Sequence, residues 1–145
     1  MDRSGRSFGA KVIGADPVAD VALLKMTGHQ GVRPPEMTLS PPAGGERSLA
    51  IGYPGGSLQP VTSEGSFLSE RHAVRSDTVY SGRSQRPAMR QLAVEMKMVP
   101  GNSGSPLLDG TGKVYGLVTE GSLDVTTAHA APISKVLDLL KKQPI

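Results

Sequence analysis

The residues best suited to chemistry lie in the stretch Gly-Asn-Ser-Gly-Ser-Pro at positions 101–106, between two apolar segments. A serine in a glycine-flanked turn is presented to a substrate, and it becomes a nucleophile when a base takes its proton. Gly101 permits a turn in which its own N–H and that of Ser103 point to one spot, as in an oxyanion hole. The stretch therefore predicts acyl transfer at Ser103, although the same residues are also typical of an ordinary turn.

Composition limits what other chemistry the chain can carry. The 145 residues include no cysteine, which excludes disulfides, thiolate metal sites and a cysteine nucleophile. Without a metal-ligand cluster or a phosphate-binding loop, we predict no metal and no cofactor. The net charge of +3 comes without a run of like charges, which argues against a nucleic-acid partner. We expect no membrane span, and the polar amino terminus has no signal-peptide core, so the compartment stays open.

The segments that must position Ser103 are short and separated by turns. With 18 Gly and 12 Pro and no Trp, the chain favours short strands around an aliphatic core. Apolar runs predict strands in the segments 8–12, 21–26, 47–56, 61–70, 91–98, 105–109, 113–121 and 125–132. We therefore expect an all-β protein, either a barrel or a sandwich.

Finer expectations concern burial and the carboxyl terminus. The continuous apolar segment 21–26 is expected to be buried on both faces, whereas the alternating segment 91–98 is expected to be half-buried. Residues 70–90 show no period and predict a long surface loop. Helical spacing predicts a helix over 133–142, with Ser134 as its N-cap.

Five motifs resemble trypsin-like serine proteases. The nucleophile turn is similar to that family's Gly-Asp/Asn-Ser-Gly-Gly-Pro, with Ser105 in place of the last Gly. The sequence AKVIGADPVADVALLKM resembles the aspartate strand of the HtrA-type (DegP-type) branch, and the triad aspartate maps onto Asp20. LAIGYPGG resembles the first strand of the second barrel, GKVYGLVTEG the strand that pairs with substrate, and AAPISKVLDLL the closing strand and terminal helix.

The resemblance implies a trypsin-like Greek-key β-barrel with a C-terminal α-helix. Residues 1–26 would be the last hairpin of a first barrel, residues 27–46 a connector, and residues 47–145 a complete second barrel with the helix.

The resemblance also implies roles for site residues. Ser103 would be the nucleophile and Asp20 the acid that orients a histidine, while the N–H groups of Gly101 and Ser103 would form the oxyanion hole. Substrate backbone would pair along three strand residues, which are Val118, Thr119 and Glu120. Lys97 falls near the pocket for the residue before the scissile bond, where it would favour acidic or polar side chains. A solvated lysine on an outward strand face is the alternative.

The catalytic histidine is missing from its usual place. In the family the order along the chain is His, Asp, Ser, and no histidine precedes Asp20. We therefore expect the chain to be truncated so that it begins after the histidine region. The first candidate for a substitute base is His72, ahead of His29 and His129, because a triad is defined by placement and not by order.

The function expected from the resemblance is a serine endopeptidase that forms an acyl-enzyme through Ser103, weakened or inactive as this chain alone. The alternatives are a non-catalytic peptide-binding module derived from a protease, or residual esterase activity. Its partner would be an extended peptide or protein. The apolar hairpin would also expose open edges, so we expect a homo-oligomer through residues 6–26. A full-length parent would belong to the cell envelope or be secreted.

Overall fold

The fold is seen in a computed structural model, which describes residues 6–28, 31, 33–73, 89–121 and 126–143. Its elements in chain order are β1 (Ala10–Asp16), β2 (Val21–Met26), β3 (Arg47–Gly52), β4 (Val61–Ala73), β5 (Met89–Glu95), β6 (Pro106–Asp109), β7 (Val114–Glu120), β8 (Thr127–Pro132) and α1 (Ile133–Lys141). A single 3-10 turn, Pro54–Gly56, follows β3. The predicted all-β class with one terminal helix is confirmed.

Six strands form a closed barrel in the order β3-β4-β5-β8-β7-β6, and β3 pairs with β6 to complete it. All six pairings are antiparallel. The inward side chains make one aliphatic core around a single aromatic pair, in which Phe67 meets Tyr115 edge to face with ring centroids 5.9 Å apart. A closed barrel leaves no edge strand, so the loops at its ends can present a site on a rigid frame.

The strands β1 and β2 form a separate two-stranded antiparallel sheet. Ala19 and Val21 attach it to the barrel, because they share a buried cluster with Met89 of β5, Ala131 of β8 and Leu139 of α1. The rest of β2 is open. The expectation that 21–26 is buried on both faces is wrong, since only Val21 is buried and Leu24 is 55% exposed. A strand buries only the positions that another element covers, and here only one end of the hairpin meets the barrel.

Strand β5 is more buried than its sequence pattern predicts, whereas β2 is less buried. The predicted half-buried strand is buried at every position from Gln91 to Val94. Leu92 and Val94 belong to the barrel core, whereas the neighbouring Met89 packs in the cluster that joins the barrel to the hairpin and α1. A strand covered on both sides buries its polar residues too.

Three other expectations need correction or qualification. The loop predicted over 70–90 is shorter at both ends, because β4 continues to Ala73 and β5 begins at Met89. Residues 74–88 lie outside the described residues. The N-cap of the helix is Pro132 and not Ser134, because Pro132 has an extended backbone with φ −67° and the helix starts at Ile133. No side chain makes a capping hydrogen bond there. The division into segments 1–26, 27–46 and 47–145 stays a prediction.

One buried hydrogen bond offers a test of the barrel core. The Ser48 and Tyr115 hydroxyls are 2.7 Å apart, and both residues are buried. Burial raises the pKa of Tyr115 to about 12, with the Ser48 hydrogen bond acting in the opposite direction. Tyr115→Phe would leave the Ser48 hydroxyl buried without this partner, so we expect the free energy of unfolding in urea to fall by about 1–2 kcal/mol. Tyr53→Phe, at an exposed tyrosine, is the control, and an equal loss in both variants would contradict the assignment.

Candidate active site

The stretch 101–106 forms a tight turn between β5 and β6. Gly101 has φ +100° and Gly104 has φ +85°, and residues other than glycine rarely adopt these backbone conformations. The turn is closed by a hydrogen bond from Ser105 N–H to the Asn102 carbonyl at 3.0 Å. It is fixed to β7 because Gly104 N–H donates to the Val118 carbonyl at 2.7 Å and Val118 N–H donates to Ser105 at 2.9 Å. The backbone of β7 therefore sets the position of Ser103.

The 3-10 turn after β3 supports the other side of the nucleophile turn. Gly55 N–H donates to the Pro100 carbonyl at 3.0 Å. A Cβ placed on Gly101 would lie 2.8 Å from the Gly55 nitrogen and 3.0 Å from Pro54 Cα. A Cβ on Gly52 would overlap the Ser105 hydroxyl and lie 2.6 Å from Asn102 Oδ1. The glycines of the two turns thus allow a backbone contact that any side chain would block.

Ser103 is exposed, and its hydroxyl donates to the Thr119 carbonyl of β7 at 3.5 Å. Within the described part of the chain, the backbone N–H groups of Gly101 and Ser103 donate to no protein acceptor. Two N–H groups on either side of one residue, both uncommitted, are what an oxyanion hole requires. The two N–H groups are therefore available to an acceptor, and their role as an oxyanion hole stays a prediction.

Asn102 supports the turn from beneath, a role that our sequence reasoning missed. Its side chain is 2% exposed, and Nδ2 lies 3.4 Å from Ser63 Oγ and 3.6 Å from Met98 Sδ. Its Oδ1 is buried and has no hydrogen-bond partner among the described residues. A buried polar atom without a partner is costly, so this contact lowers the stability of the turn's support. In the sequence, the available signal for this supporting role was the asparagine of the Gly-Asn-Ser stretch.

Asp20 ends the turn between β1 and β2. It is exposed, has the positive φ of +58°, and borders a cavity of about 200 Å³ together with Asp16 and Val21. Asp16 holds the turn, because its Oδ1 accepts the N–H groups of Val18 at 3.0 Å and Ala19 at 2.9 Å. Its neighbours Ala19 and Val21 are buried in the cluster that joins the hairpin to the barrel. Its role toward a histidine stays a prediction.

The fold and the nucleophile turn are shared with known proteins. A family model described as the trypsin-like peptidase domain matches residues 1–117. The chain belongs to the trypsin-like peptidase family. Serine protease Rv3671c of Mycobacterium tuberculosis is 29% identical over 124 residues, which are 82% of this chain and 29% of that protein. Protease Do-like 1, chloroplastic, of Arabidopsis thaliana is 32% identical over 115 residues, which are 78% of this chain and 25% of that protein.

A solved structure supports the same assignment. The crystal structure of Rv3671c protease, active form, superposes with a TM-score of 0.81 at 26% identity, covering 95% of this chain and 61% of that one. The resemblance to HtrA-type serine proteases and the trypsin-like barrel are therefore confirmed. This chain spans about a quarter to a third of the length of these two curated relatives.

In this trypsin-like peptidase domain, neither described histidine is hydrogen-bonded to Ser103. His129 on β8 is engaged elsewhere, because Nε2 meets Nη2 of Arg71 and Nδ1 lies 3.8 Å from Glu120 Oε2. His72 is exposed on β4, where it pairs in register with Arg90 of β5. His29 lies outside the described residues. The first candidate base, His72, thus remains without structural support.

The environment of His129 predicts a pH dependence. Burial lowers the pKa of His129, Arg71 lowers it further, and Glu120 acts in the opposite direction. As the pH falls through about 6.5, the unfolded chain takes up a proton that the folded chain resists, so stability falls. We expect the free energy of unfolding in urea to decrease from pH 8 to pH 5. The decrease should be smaller in His129→Gln, and identical slopes in both proteins would contradict this prediction.

The predicted substrate strand of the trypsin-like peptidase domain has one open edge. β6 pairs with β7 only as far as Leu117, and the nucleophile turn occupies the N–H and C=O of Val118. Beyond that point, β8 covers the opposite edge, where Glu120 pairs with His129 and Thr119 Oγ1 donates to the His129 carbonyl at 3.3 Å. The edge of Thr119 and Glu120 nearest Ser103 is therefore not covered by β6.

The sequence analysis placed Lys97 near the substrate pocket, but a different residue packs beside this strand. Lys97 is exposed, whereas the next residue, Met98, is buried in the barrel core. A Cβ on Gly121 would lie 2.6 Å from the Met98 Cβ, so Met98 is the residue that packs against the end of the substrate strand. The role of Lys97 in specificity stays a prediction.

Among residues 6–28, 31, 33–73, 89–121 and 126–143, no three His, Asp or Glu side chains lie together as a metal ion would need. Within the same part of the chain, no helix has the length and apolar character needed to cross a membrane.

Proposed function

We propose that this trypsin-like domain hydrolyses peptide bonds through Ser103. The observation that carries the proposal is the nucleophile turn itself, which pairs an exposed Ser103 hydroxyl with two uncommitted N–H groups, those of Gly101 and Ser103. Membership of the trypsin-like peptidase family supports the same chemistry. The two relatives named above are a serine protease and a Do-like protease, which supports a peptide or protein substrate.

The chemistry would proceed in two steps. The Ser103 Oγ attacks the scissile carbonyl while a base takes its proton, and the resulting oxyanion is held by the N–H groups of Gly101 and Ser103. The C–N bond then breaks as the amine leaves with that proton, and water hydrolyses the acyl-serine in the same manner. Asp20 would orient the base and stabilise its protonated form. The substrate would pair as an added strand with Thr119 and Glu120. Val118, which the sequence analysis included, is excluded because its N–H and C=O are already bonded to the nucleophile turn.

We propose that catalysis by the isolated chain is weak. The proton transfer needs a base within hydrogen-bond reach of Ser103, and the described histidines His72 and His129 make no such bond. An oxyanion hole and a binding strand without a base still accelerate hydrolysis over water, by a residual factor of about 10³–10⁴. Activated esters have better leaving groups than amides, so ester hydrolysis would survive better than proteolysis.

The test is covalent labelling of the chain with a fluorophosphonate probe, read by intact mass and by peptide mapping. We expect one label at Ser103 in the wild-type protein and none in Ser103→Ala. Ser105→Ala, two positions away in the same turn, is the matched control and should keep the label. Labelling at another serine, or no label at all under forcing conditions, would overturn the assignment of Ser103 as an active nucleophile.

A second candidate is a peptide-binding module that does not cut. It is favoured by one observation, that the Ser103 hydroxyl donates to the Thr119 carbonyl and to no histidine. This candidate expects a labelled extended peptide to bind wild-type protein and Ser103→Ala equally, with no hydrolysis of either a peptide or an activated ester. Ester hydrolysis that disappears in Ser103→Ala would exclude it.

We propose further that residues 6–26 mediate self-association. Their hairpin exposes Val12, Leu24 and Met26, and apolar side chains in a row on a two-stranded sheet favour pairing with a second copy. Light scattering at micromolar concentration should show a dimer or larger species in the wild type. Leu24→Lys should shift the protein to monomer, whereas Leu39→Lys, at an exposed leucine in the connector, should not. A monomeric wild type would exclude this mode of assembly.

A further inference from the structure

The side chain of Asn102 connects the nucleophile turn to strand β4. Its Nδ2 lies 3.4 Å from the Ser63 Oγ, and the two residues are 39 positions apart in the chain. Ser63 is half-buried and pairs in register with Ala50 of β3, whose side chain belongs to the barrel core. Residues directly opposite each other on antiparallel strands share a face of the sheet. The Ser63 hydroxyl therefore reaches Asn102 from inside the mouth of the barrel.

Hydroxyl groups inside this barrel are matched with polar partners. Ser48 is buried, and its hydroxyl lies 2.7 Å from that of Tyr115. Ser63 follows the same rule, with Asn102 as the one hydrogen-bond partner of its side chain within the described part of the chain. The core that both serines border is apolar. Because an unbonded hydroxyl beside an aliphatic core costs desolvation, packing alone would favour an apolar residue at position 63.

The contact with Ser63 differs from the other polar contacts of Asn102, which are local. The Asn102 N–H donates to the Val99 carbonyl at 3.2 Å, and the Asn102 carbonyl accepts the Ser105 N–H at 3.0 Å. The Asn102 Nδ2 also meets Met98 Sδ at 3.6 Å, across four positions of the chain. Among the described residues, Ser63 is thus the polar partner that ties Asn102 to another strand.

Asn102 lies between the two N–H groups that would act as oxyanion donors. Those groups belong to Gly101 and Ser103, so the direction of one relative to the other depends on the Asn102 backbone. The Asn102 residue is 2% exposed, which leaves solvent little access to its side chain. The protein contacts of its amide therefore decide how the side chain is oriented beneath the turn.

We propose that Ser63 is a positioning residue for the nucleophile turn. Its hydroxyl holds the Asn102 side-chain amide, and through Asn102 it keeps the Gly101 and Ser103 N–H groups directed at one point. The inference rests on the proposed function for the role of these N–H groups as oxyanion donors. It assigns part of the site's geometry to β4, at a residue that makes no hydrogen bond with Ser103. Because small displacements at a reacting group cost large factors in rate, one hydroxyl beneath the turn has a measurable effect.

The first measurement is the kinetics of fluorophosphonate labelling at Ser103, resolved into the maximal rate and the probe concentration that gives half of it. Ser63→Ala should lower the maximal rate by about fivefold to tenfold and leave the half-saturating concentration unchanged, because Ser63 lies beneath the turn and away from the probe. Ser63→Thr keeps the hydroxyl on a side chain suited to a strand, so it should restore most of the rate. The matched control is Ser66→Ala, at a half-buried serine of β4 with no side-chain hydrogen bond among the described residues, and it should label like the wild type.

The second measurement does not depend on reactivity. Asn102 is the one asparagine of the sequence, so isotope-labelled asparagine gives its side-chain amide as a single pair of NMR signals. Ser63→Ala should speed the exchange of this amide with water by at least about tenfold. In uniformly labelled protein it should also shift the backbone N–H signals of Gly101 and Ser103, whereas Ser66→Ala should have neither effect.

The outcomes separate the positioning role from the proposed function. An unchanged Asn102 amide signal in Ser63→Ala, or equal effects of Ser63→Ala and Ser66→Ala, would overturn the positioning role. Recovery of the amide signal in Ser63→Thr without recovery of the labelling rate would also overturn it, because the contact would then serve stability alone. If the wild type resists labelling while the Gly101 and Ser103 N–H signals still respond to Ser63→Ala, the hydrolytic function fails and the positioning role stands.

Discussion

Gly101→Ala is expected to reduce the rate of fluorophosphonate labelling at Ser103 by at least about a hundredfold, the usual cost of losing one oxyanion donor. The added Cβ would lie 2.8 Å from the Gly55 nitrogen and 3.0 Å from Pro54 Cα, and both are backbone atoms that cannot rotate away. The turn must therefore move, and the Gly101 N–H with it. Backbone strain at φ +100° adds a destabilisation of about 1–3 kcal/mol.

The control for Gly101→Ala separates strain from lost chemistry. Gly112 lies in the β6–β7 hairpin with φ +84°, and a Cβ there would meet nothing within 4 Å. Gly112→Ala should therefore show a loss of stability from strain, measured by urea unfolding, with an unchanged labelling rate. If Gly101→Ala labelled as fast as Gly112→Ala, the Gly101 N–H would have no part in an oxyanion hole.

Gly52→Ala is expected to damage both stability and reactivity. Its Cβ would overlap the Ser105 hydroxyl and approach Asn102 Oδ1 to 2.6 Å, and both of those side chains are buried beneath the nucleophile turn. Because tightly packed interiors do not yield freely, we expect the free energy of unfolding to fall by about 2–3 kcal/mol. Displacement of Asn102 should also slow labelling of Ser103 by about tenfold or more, since small misplacements at a reactive group are costly.

The matched variant for Gly52→Ala is Gly110→Ala. Gly110 has an ordinary φ, and an added Cβ would meet nothing within 4 Å, so its replacement should be neutral or slightly stabilising. Thermal unfolding monitored by circular dichroism distinguishes the two. Similar melting temperatures for the two variants would show that the contact between the β3 turn and the nucleophile turn can relax, and would weaken the case that Asn102 positions Ser103.

Several features were predictable because they depend on local backbone demands. Glycine at 101 and 104 satisfies two positive φ angles in one short turn, and that requirement is visible in the sequence Gly-Asn-Ser-Gly. The apolar segments 105–109 and 113–121, separated by Gly-Thr-Gly, were predicted as strands, and β6 and β7 do pair there. The family motifs carried the fold for the same reason, since each is a short segment whose meaning does not depend on distant contacts.

Features that depend on distant contacts could not be predicted in the same way. The apolar segment 21–26 was expected to be buried, yet most of it is exposed because only one end meets the barrel. Gln91 was expected to face solvent, yet it is buried because β5 is covered on both faces. Periodicity shows which residues share a face of a strand, but burial is decided by what packs against that face.

The same distinction between local and distant contacts applies to the candidate site. The family, the candidate nucleophile Ser103 and the glycines that permit its turn could all be predicted without the structure, because all of these are properties of contiguous residues. Only the tertiary structure decided that Asn102 lies buried beneath the turn, that His129 is held by Arg71 and Glu120, and that the β3 turn walls the site. Those relations join residues far apart in the chain, and closure of the barrel brings them together.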